Sequence, residues 1–317
     1  MSVSVSTTAR LHFGFLDPCG RSSAPFGSFG LSLDRPATQL TLQRADSFQV
    51  CGPEAERAEH YLKTIAASCG IDHAYRLQMD EVIPPHSGLG SGTQLALAVG
   101  SAFAALEGVD LTPLEIASPL ARGGRSGIGM ATFEVGGAVL DGGPAGGGLP
   151  QLVARVPFPT AWRTLLIFDP STKGLDGANE IAAFDALPDF PDAETAELSE
   201  RIVQRALPAL TTGDFATFCA EVGNLQDKMG AYFAPTQGGG PYTSPYVAGI
   251  LDWLRREGVT GLGQSSWGPT GFAFTDSESS GQALLAAARE RASGSPLRFE
   301  LAKGRNEGAE IEVHGGD

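Results

Sequence analysis

No CxxC pair and no Cys/His set at zinc-finger intervals occurs in the chain, whose four cysteines, Cys19, Cys51, Cys69 and Cys219, lie far apart. A zinc-finger site and a thioredoxin-like redox pair are thereby excluded, and reduced, isolated thiols are expected. Basic charge is scarce: 22 Lys and Arg stand against 36 Asp and Glu, a formal charge of -14. Broad electrostatic attachment to nucleic acid or anionic membranes is excluded, and any phosphate ligand needs a local cluster of cations. No uninterrupted apolar run reaches bilayer-spanning length, and Met1 to Thr8 alternates Val and Ser without a basic region or an apolar block. That start reads as a strand rather than a signal peptide, so the expected location is the cytoplasm. No internal repeat, Ser/His/Asp order or nucleic-acid module is present.

What is abundant is glycine, 42 residues in 317, with 21 prolines, in a chain otherwise of ordinary globular composition. The length suits two modest domains or one large unit with a sizeable core. From Ser2 to Phe15 the alternation predicts a strand with Arg10, His12 and Gly14 on one face and Leu11, Phe13 and Phe15 on the other. Further strands are expected over Leu31 to Gln43, Tyr75 to Ile83, Thr132 to Asp141, Trp162 to Phe168, Phe272 to Thr275, Leu297 to Ala302 and Ala309 to Val313. Helices are expected over Glu54 to Ala67, after the glycine loop through Leu106, from Thr112-Pro113 with Glu115 at capping-box spacing, and over Leu198 to Leu210, Phe215 to Met229 and Val247 to Leu254. Glycines 142 to 148 and Pro150 mark the expected boundary between domains 1–150 and 151–317.

The strongest chemical signal is Ser87-Gly88-Leu89-Gly90-Ser91-Gly92-Thr93, which follows a strand and opens a helix. Free N–H groups and the helix dipole favour an anion there, and Gly88, Gly90 and Gly92 allow close approach. Ser87, Ser91 and Thr93 add hydroxyls for phosphate or magnesium. The alternative is that the glycines serve tight packing alone. Walker and dinucleotide fingerprints do not match. A second polar segment, Gln264 to Phe272, is a candidate second wall or a hydrogen-bonded turn. Arg122 and Arg125, among glycines, are candidate cations. Asp17 is either a magnesium or ribose ligand or a turn cap, and His12 either a catalyst or a satisfied strand histidine. Glu134 is placed near a strand start.

The Pro-Pro-His-Ser-Gly-Leu-Gly-Ser-Gly-Thr loop after a strand resembles that of the galactokinase, homoserine kinase, mevalonate kinase and phosphomevalonate kinase superfamily. Several further blocks, in order, resemble one branch of it, the β-ribofuranosylaminobenzene 5′-phosphate synthases. They are Arg10 to Asp17, Phe26 to Leu31, Arg125 to Gly129 with Phe133-Glu134 and Asp141-Gly142-Gly143, Phe233-Ala234-Pro235 with Gln237-Gly238-Gly239, and Gly263 to Thr270. The resemblance implies an α+β fold, with an N-terminal domain like ribosomal protein S5 domain 2 and a ferredoxin-like C-terminal domain. It also implies joining of phosphoribosyl pyrophosphate to 4-aminobenzoate, with loss of pyrophosphate and carbon dioxide, early in methanopterin synthesis. Related C-nucleoside antibiotic synthases use a heteroaromatic carboxylate such as an aminopyrazole.

On that resemblance Asp17, His12 and Arg125 are the expected catalytic group, with magnesium at Asp17 and Ser91. Arg10, Arg21, Ser87, Gly88, Gly90, Ser91, Gly92, Thr93, Ser126, Gly127, Lys173, Phe233, Gln237, Ser265, Ser266, Trp267, Gly268 and Thr270 are the expected substrate contacts. Trp267 or Phe233 would face the aromatic acceptor. Two positions depart from the pattern: Ala24 stands where relatives commonly carry Arg, and Lys173 where Arg is frequent. Arg21 is the nearest substitute, and a different acceptor is the alternative. Homodimerisation is left open, as are the competing classes of an ATP-dependent small-molecule kinase and a non-catalytic phosphate sensor.

Overall fold

The computed structural model describes residues 1–19, 26–124, 126–144, 150–174 and 182–315. In the first half run β1 (Ser2–Ser6), β2 (Ala9–Asp17), β3 (Phe26–Leu33), β4 (Gln39–Arg44), β5 (Gln49–Cys51), α1 (Ala55–Ser68), β6 (Tyr75–Glu81), α2 (Ser91–Glu107), α3 (Pro113–Ala117), α4 (Ile128–Val135) and β7 (Ala138–Pro144). There follow β8 (Pro150–Val156), β9 (Arg163–Phe168), α5 (Asp192–Arg201), a π-helical turn (Ile202–Ala206), α6 (Leu207–Thr212), α7 (Phe215–Phe233), α8 (Pro245–Arg256), β10 (Leu262–Gln264), β11 (Gly271–Thr275), α9 (Glu278–Arg291), β12 (Arg298–Ala302) and β13 (Glu310–His314). The strands form three sheets, ordered β13-β1-β4-β6-β5, β2-β3-β7-β8 and β10-β11-β9-β12. The class is α+β, as expected.

Among the described residues, three large apolar clusters hold the sheets. Val3, Val5, Leu40, Leu42 and Leu77 of the first sheet pack on α1 and α2 through Leu62, Ile65, Leu95 and Phe103. The second and third sheets share the largest core, where Leu11, Phe13, Phe29 and Leu31 meet Phe272, Phe274 and the α7 residues Phe218, Val222 and Leu225. The far face of the third sheet, Leu165, Ile167 and Ala273, is covered by α8 and α9 through Val247, Leu251, Leu285 and Ala288. The shared middle core fixes the two halves against each other, and the site described below lies along that junction.

Several expectations change, each for a local reason. Thr132 to Val135, and Glu134 with them, are helical: α4 starts after Gly127 and ends at Gly136 (φ 59), and β7 begins only at Ala138. The Leu31 to Gln43 stretch is two strands, since Pro36 between them has no N–H for a ladder. The Leu198 to Leu210 helix is interrupted by the π-helical turn just before Pro208, which likewise cannot donate. Strands β8 and β10 and helix α9 carried no clear periodic signal. Pro150, the expected boundary, opens a strand that completes the β2-β3-β7 sheet, and β13 returns to pair with β1, so neither sheet respects the 1–150 and 151–317 division. The Thr112/Glu115 capping box is present as its spacing predicts.

The change that matters most for function is in β2. Arg10 and His12 oppose Ser32 and Gly30, but beyond them Gly14 opposes Phe29 and Phe15 opposes Ser28, so Phe13 is the extra residue of a β-bulge. A bulge reverses the alternation that follows it. Arg10, His12, Phe15 and Asp17 therefore share one face, and Gly14 turns to the other, where a Cβ would lie 2.8 Å from Met229 Cγ.

Candidate active site

The glycine loop is shaped by Gly88 (φ 81) and Gly90 (φ 80), both in the left-handed region that disfavours side chains. Gly90 is the N-cap of α2 and no side chain caps the helix, so its first N–H groups have no partner within the helix. Against this loop lies the Gly263 to Thr270 segment, at backbone contact. A Cβ on Gly88 would stand 2.2 Å from the Ser265 carbonyl oxygen, and one on Gly268 would stand 2.2 Å from Gly88 N. Ser265, fully buried, accepts a hydrogen bond from His12 N at 3.0 Å and donates one to Gly88 O at 2.7 Å. Ser266 N donates to His12 O at 3.2 Å, and Arg10 Nη1 donates to Gly88 O at 2.9 Å.

Several expected substrate ligands are thus builders of the cradle. The Ser87 hydroxyl donates to Pro84 O at 2.7 Å, Ser265 is spent on the clasp, and Thr270 is wholly buried with its carbonyl accepting from Ser265 N. Gly88 and Gly268 do what the packing alternative required, although both also line the cleft.

That cleft, about 570 Å³, is walled by Arg10, His12 and Phe15 of β2, the loop from Gly88 to Thr93, Arg57, Arg122 to Gly124, Ser126, and Ser266 to Gly268. Its described walls carry three arginines and no carboxylate. Arg122 lies against the first turn of α2: a Cβ on Gly92 would be 3.0 Å from its Nη1, and its Nη2 donates to Tyr61 Oη at 2.6 Å. Arg57 pairs with Glu54 at 3.0 Å. Among the described residues the Nε atoms of Arg57 and Arg122 are buried without a hydrogen-bond partner. Local positive charge and helix N–H groups thus meet in an otherwise acidic molecule, an arrangement that binds phosphate. Arg57 went unnoticed in the sequence because nothing local distinguishes it from a solvated residue on an amphipathic helix.

Ser126 and Gly127 are held by a buried carboxylate. Asp141 accepts from the N–H groups of Gly127 at 2.9 Å, Gly143 at 2.9 Å and Ser28 at 3.2 Å, and from the Ser28 hydroxyl in a short bond. Burial pushes its pKa up, and the Ser28 hydroxyl and these N–H groups pull it back. Arg125 and Arg21 lie outside the described residues.

A second, narrower cavity of about 30 Å³ adjoins the cleft, walled mainly by Phe13, Phe15, Phe184, Met229, Phe233 and Trp267, with Gln226, Gln237 and Gln264 among its polar walls. Trp267 stacks on Phe184 at 4.6 Å and meets Phe233 edge-on at 4.7 Å. His12, Phe15, Ser266 and Trp267 line both cavities and form the wall between them. His12 is 2% exposed, its ring 4.7 Å from that of Phe15. Burial, then the charge of Arg10, holds its pKa well below 6.5, so the imidazole is neutral at pH 7. Gln226 of α7 anchors this region: its amide donates to the carbonyl of the bulge residue Phe13 and accepts from Gln264 N at 2.7 Å.

The remaining expected residues scatter. Asp17, 3% exposed, ends β2 and accepts from Cys19 N at 3.1 Å, which is the turn-capping role, and it is not among the described walls of either cavity. Lys173 is exposed beside Gly174, whose N–H donates to His86 O at 3.0 Å. Among the described residues no group of three His, Cys, Asp or Glu side chains is arranged to hold a metal. A magnesium ion in the cleft would meet the Ser91 hydroxyl but no described carboxylate, so the described residues do not fit a protein-held ion.

Comparison with known proteins identifies the fold and the family. Residues 56–137 match the N-terminal domain of GHMP kinases, and 206–294 match the GHMP kinase C-terminal domain. A homoserine kinase from Cytophaga hutchinsonii superposes with TM-score 0.68 at 16% identity, covering 98% of this chain and 97% of that one. Mevalonate-3-kinase from Thermoplasma acidophilum gives 0.65 at 12% identity, covering 98% of each. At such identities the likeness concerns fold alone, and the fold is that of the GHMP kinases.

Two curated proteins are nearer in sequence. The beta-ribofuranosylphenol 5′-phosphate synthase of Archaeoglobus fulgidus is 32% identical, covering 97% of this chain and 98% of its own. Its namesake from Methanothermobacter thermautotrophicus is 29% identical over 96% and 97%. The chain belongs to the beta-ribofuranosylphenol 5′-phosphate synthase family.

Proposed function

We propose that the protein is a decarboxylating C-glycosyltransferase that joins phosphoribosyl pyrophosphate to an aromatic carboxylate. The observation that carries the reading is the common wall of His12, Ser266 and Trp267 between an arginine-lined cleft and an aromatic crevice. A phosphorylated donor and a flat apolar acceptor belong in those two places, and their reacting carbons meet at the wall. The relatives' names specify a ribofuranosylphenol, which makes 4-hydroxybenzoate the first acceptor to test, ahead of 4-aminobenzoate and aminopyrazole carboxylates.

The bond between ribosyl C1 and the pyrophosphate oxygen breaks, and its electron pair leaves with pyrophosphate. Arg122, Arg57 and the α2 N–H groups receive that charge. The ring carbon bearing the carboxylate supplies a π pair to C1, forming the carbon–carbon bond. The pair of the ring–carboxylate bond then restores aromaticity as carbon dioxide departs. No proton is transferred, consistent with a wall that offers a neutral imidazole rather than a carboxylate base.

Purified protein incubated with magnesium, phosphoribosyl pyrophosphate and each acceptor should release pyrophosphate and carbon dioxide in equal amounts. The product should show a C1–carbon bond by NMR. Absence of both products with every acceptor, together with phosphoryl transfer from ATP to a small alcohol, would replace this reading by a kinase.

A further inference from the structure

Among the described residues, two buried hydrogen-bonding side chains in the wall between the cavities have no partner. Both ring nitrogens of His12 and the indole Nε1 of Trp267 are shielded from solvent and make no hydrogen bond among the described residues, although His12 is 2% and Trp267 6% exposed. Buried polar atoms are ordinarily satisfied, and leaving one unmade costs about 1–3 kcal/mol. Nor are these side chains loosely placed. The His12 backbone is held at its N–H by Ser265 Oγ and at its carbonyl by Ser266 N, the residue preceding Trp267. Trp267 is fixed by Phe184 and Phe233. Two rigid groups unsatisfied at one wall point to a ligand that satisfies them.

Resting on the proposed reaction, the geometry points to His12 and Trp267 as a neutral two-donor seat for the carboxylate of the aromatic acceptor. Each offers one N–H, and a carboxylate has two oxygens to receive them. Neutral donors suit a group that must lose its charge. A guanidinium fork would bind the starting carboxylate strongly and resist the flow of its electrons into the ring, because only interactions stronger in the transition state accelerate a step. Two neutral N–H groups orient the carboxylate over the wall and forfeit less when carbon dioxide forms. The nearest guanidinium on the same strand face, Arg10, donates to the Gly88 carbonyl at 2.9 Å.

The test is calorimetric binding of 4-hydroxybenzoate, and separately of pyrophosphate, to wild type, His12→Phe, Trp267→Phe and the double variant. Each single change should weaken 4-hydroxybenzoate ~10-fold or more, as loss of a hydrogen bond to a charged group does. Pyrophosphate affinity should stay within about twofold, since the arginine cleft is untouched. If His12→Phe does not fold, His12→Gln, which restores a neutral donor, compared with His12→Met, which does not, makes the same measurement. Variants that bind 4-hydroxybenzoate as wild type does, or lose both ligands equally, overturn the seat while wild-type turnover leaves the proposed reaction standing. Wild type that neither binds nor converts any aromatic carboxylate overturns both.

Discussion

Single residues divide the work between charge and neutrality. Arg122 is a cation set against the first turn of α2, where helix N–H groups and guanidinium act on one anion. Replacing it by Gln should raise the KM for the phosphorylated donor by about 10- to 100-fold, equivalent to a charged hydrogen bond of roughly 1.5–3 kcal/mol, and leave the acceptor KM nearly unchanged. Steady-state kinetics with each substrate varied in turn checks this. His12 is the neutral counterpart. Its folded pKa lies well below 6.5, so between that value and 6.5 the unfolded chain binds more protons than the folded one. Stability is therefore lost as pH falls below 6.5. Thermal unfolding followed from pH 7 to pH 5 should show wild type losing more stability than His12→Phe.

Among elements, the β2 bulge decides which side chains reach the site. Without the extra Phe13, Phe15 would point to the core and Gly14 to the cleft; with it, Arg10, His12 and Phe15 line one wall. The bulge is held from outside its own sheet by Gln226 of α7, which satisfies the Phe13 carbonyl and the Gln264 N–H together. Gln226→Leu should leave two buried backbone groups unpaired and cost roughly 2–6 kcal/mol. Chemical denaturation measures that loss, and a fall in kcat in the surviving folded fraction would mark the bulge as positioning the wall. The glycine loop and the Gly263 to Thr270 segment are coupled in the same way. Gly88 and Gly268 meet backbone to backbone, so neither loop has its shape without the other.

At the scale of the molecule, a net charge of -14 surrounds a cleft lined by Arg10, Arg57 and Arg122. Long-range repulsion of an anionic substrate is screened over about 8–10 Å at physiological salt, whereas contacts inside the cleft are screened less. Raising salt from 0.05 to 0.5 M should therefore change the donor KM severalfold and the acceptor KM by less than about twofold. Titration of both substrates at each salt concentration tests this. The shared core of Leu11, Phe13, Phe272 and Phe274 makes the two halves one body, so the wall at their junction is as rigid as the core behind it. No helix among the described residues is long and apolar enough to cross a membrane.

The loop from Ser87 to Thr93 was legible because its signal is local: glycines that permit left-handed backbone, then an apolar run that must be helical. The α+β class and the order of the family's blocks were likewise carried by short stretches of chain. Tertiary structure alone decided what each polar residue does. Ser265 reads as a phosphate ligand, yet its hydroxyl donates to the carbonyl of Gly88, and Arg57 has no local mark of function. His12 gains meaning only where the fold buries it in the same wall as Trp267, with neither ring nitrogen hydrogen-bonded among the described residues. A hydrogen-bond partner far along the chain, or its absence, is a property of packing, and no local pattern encodes it.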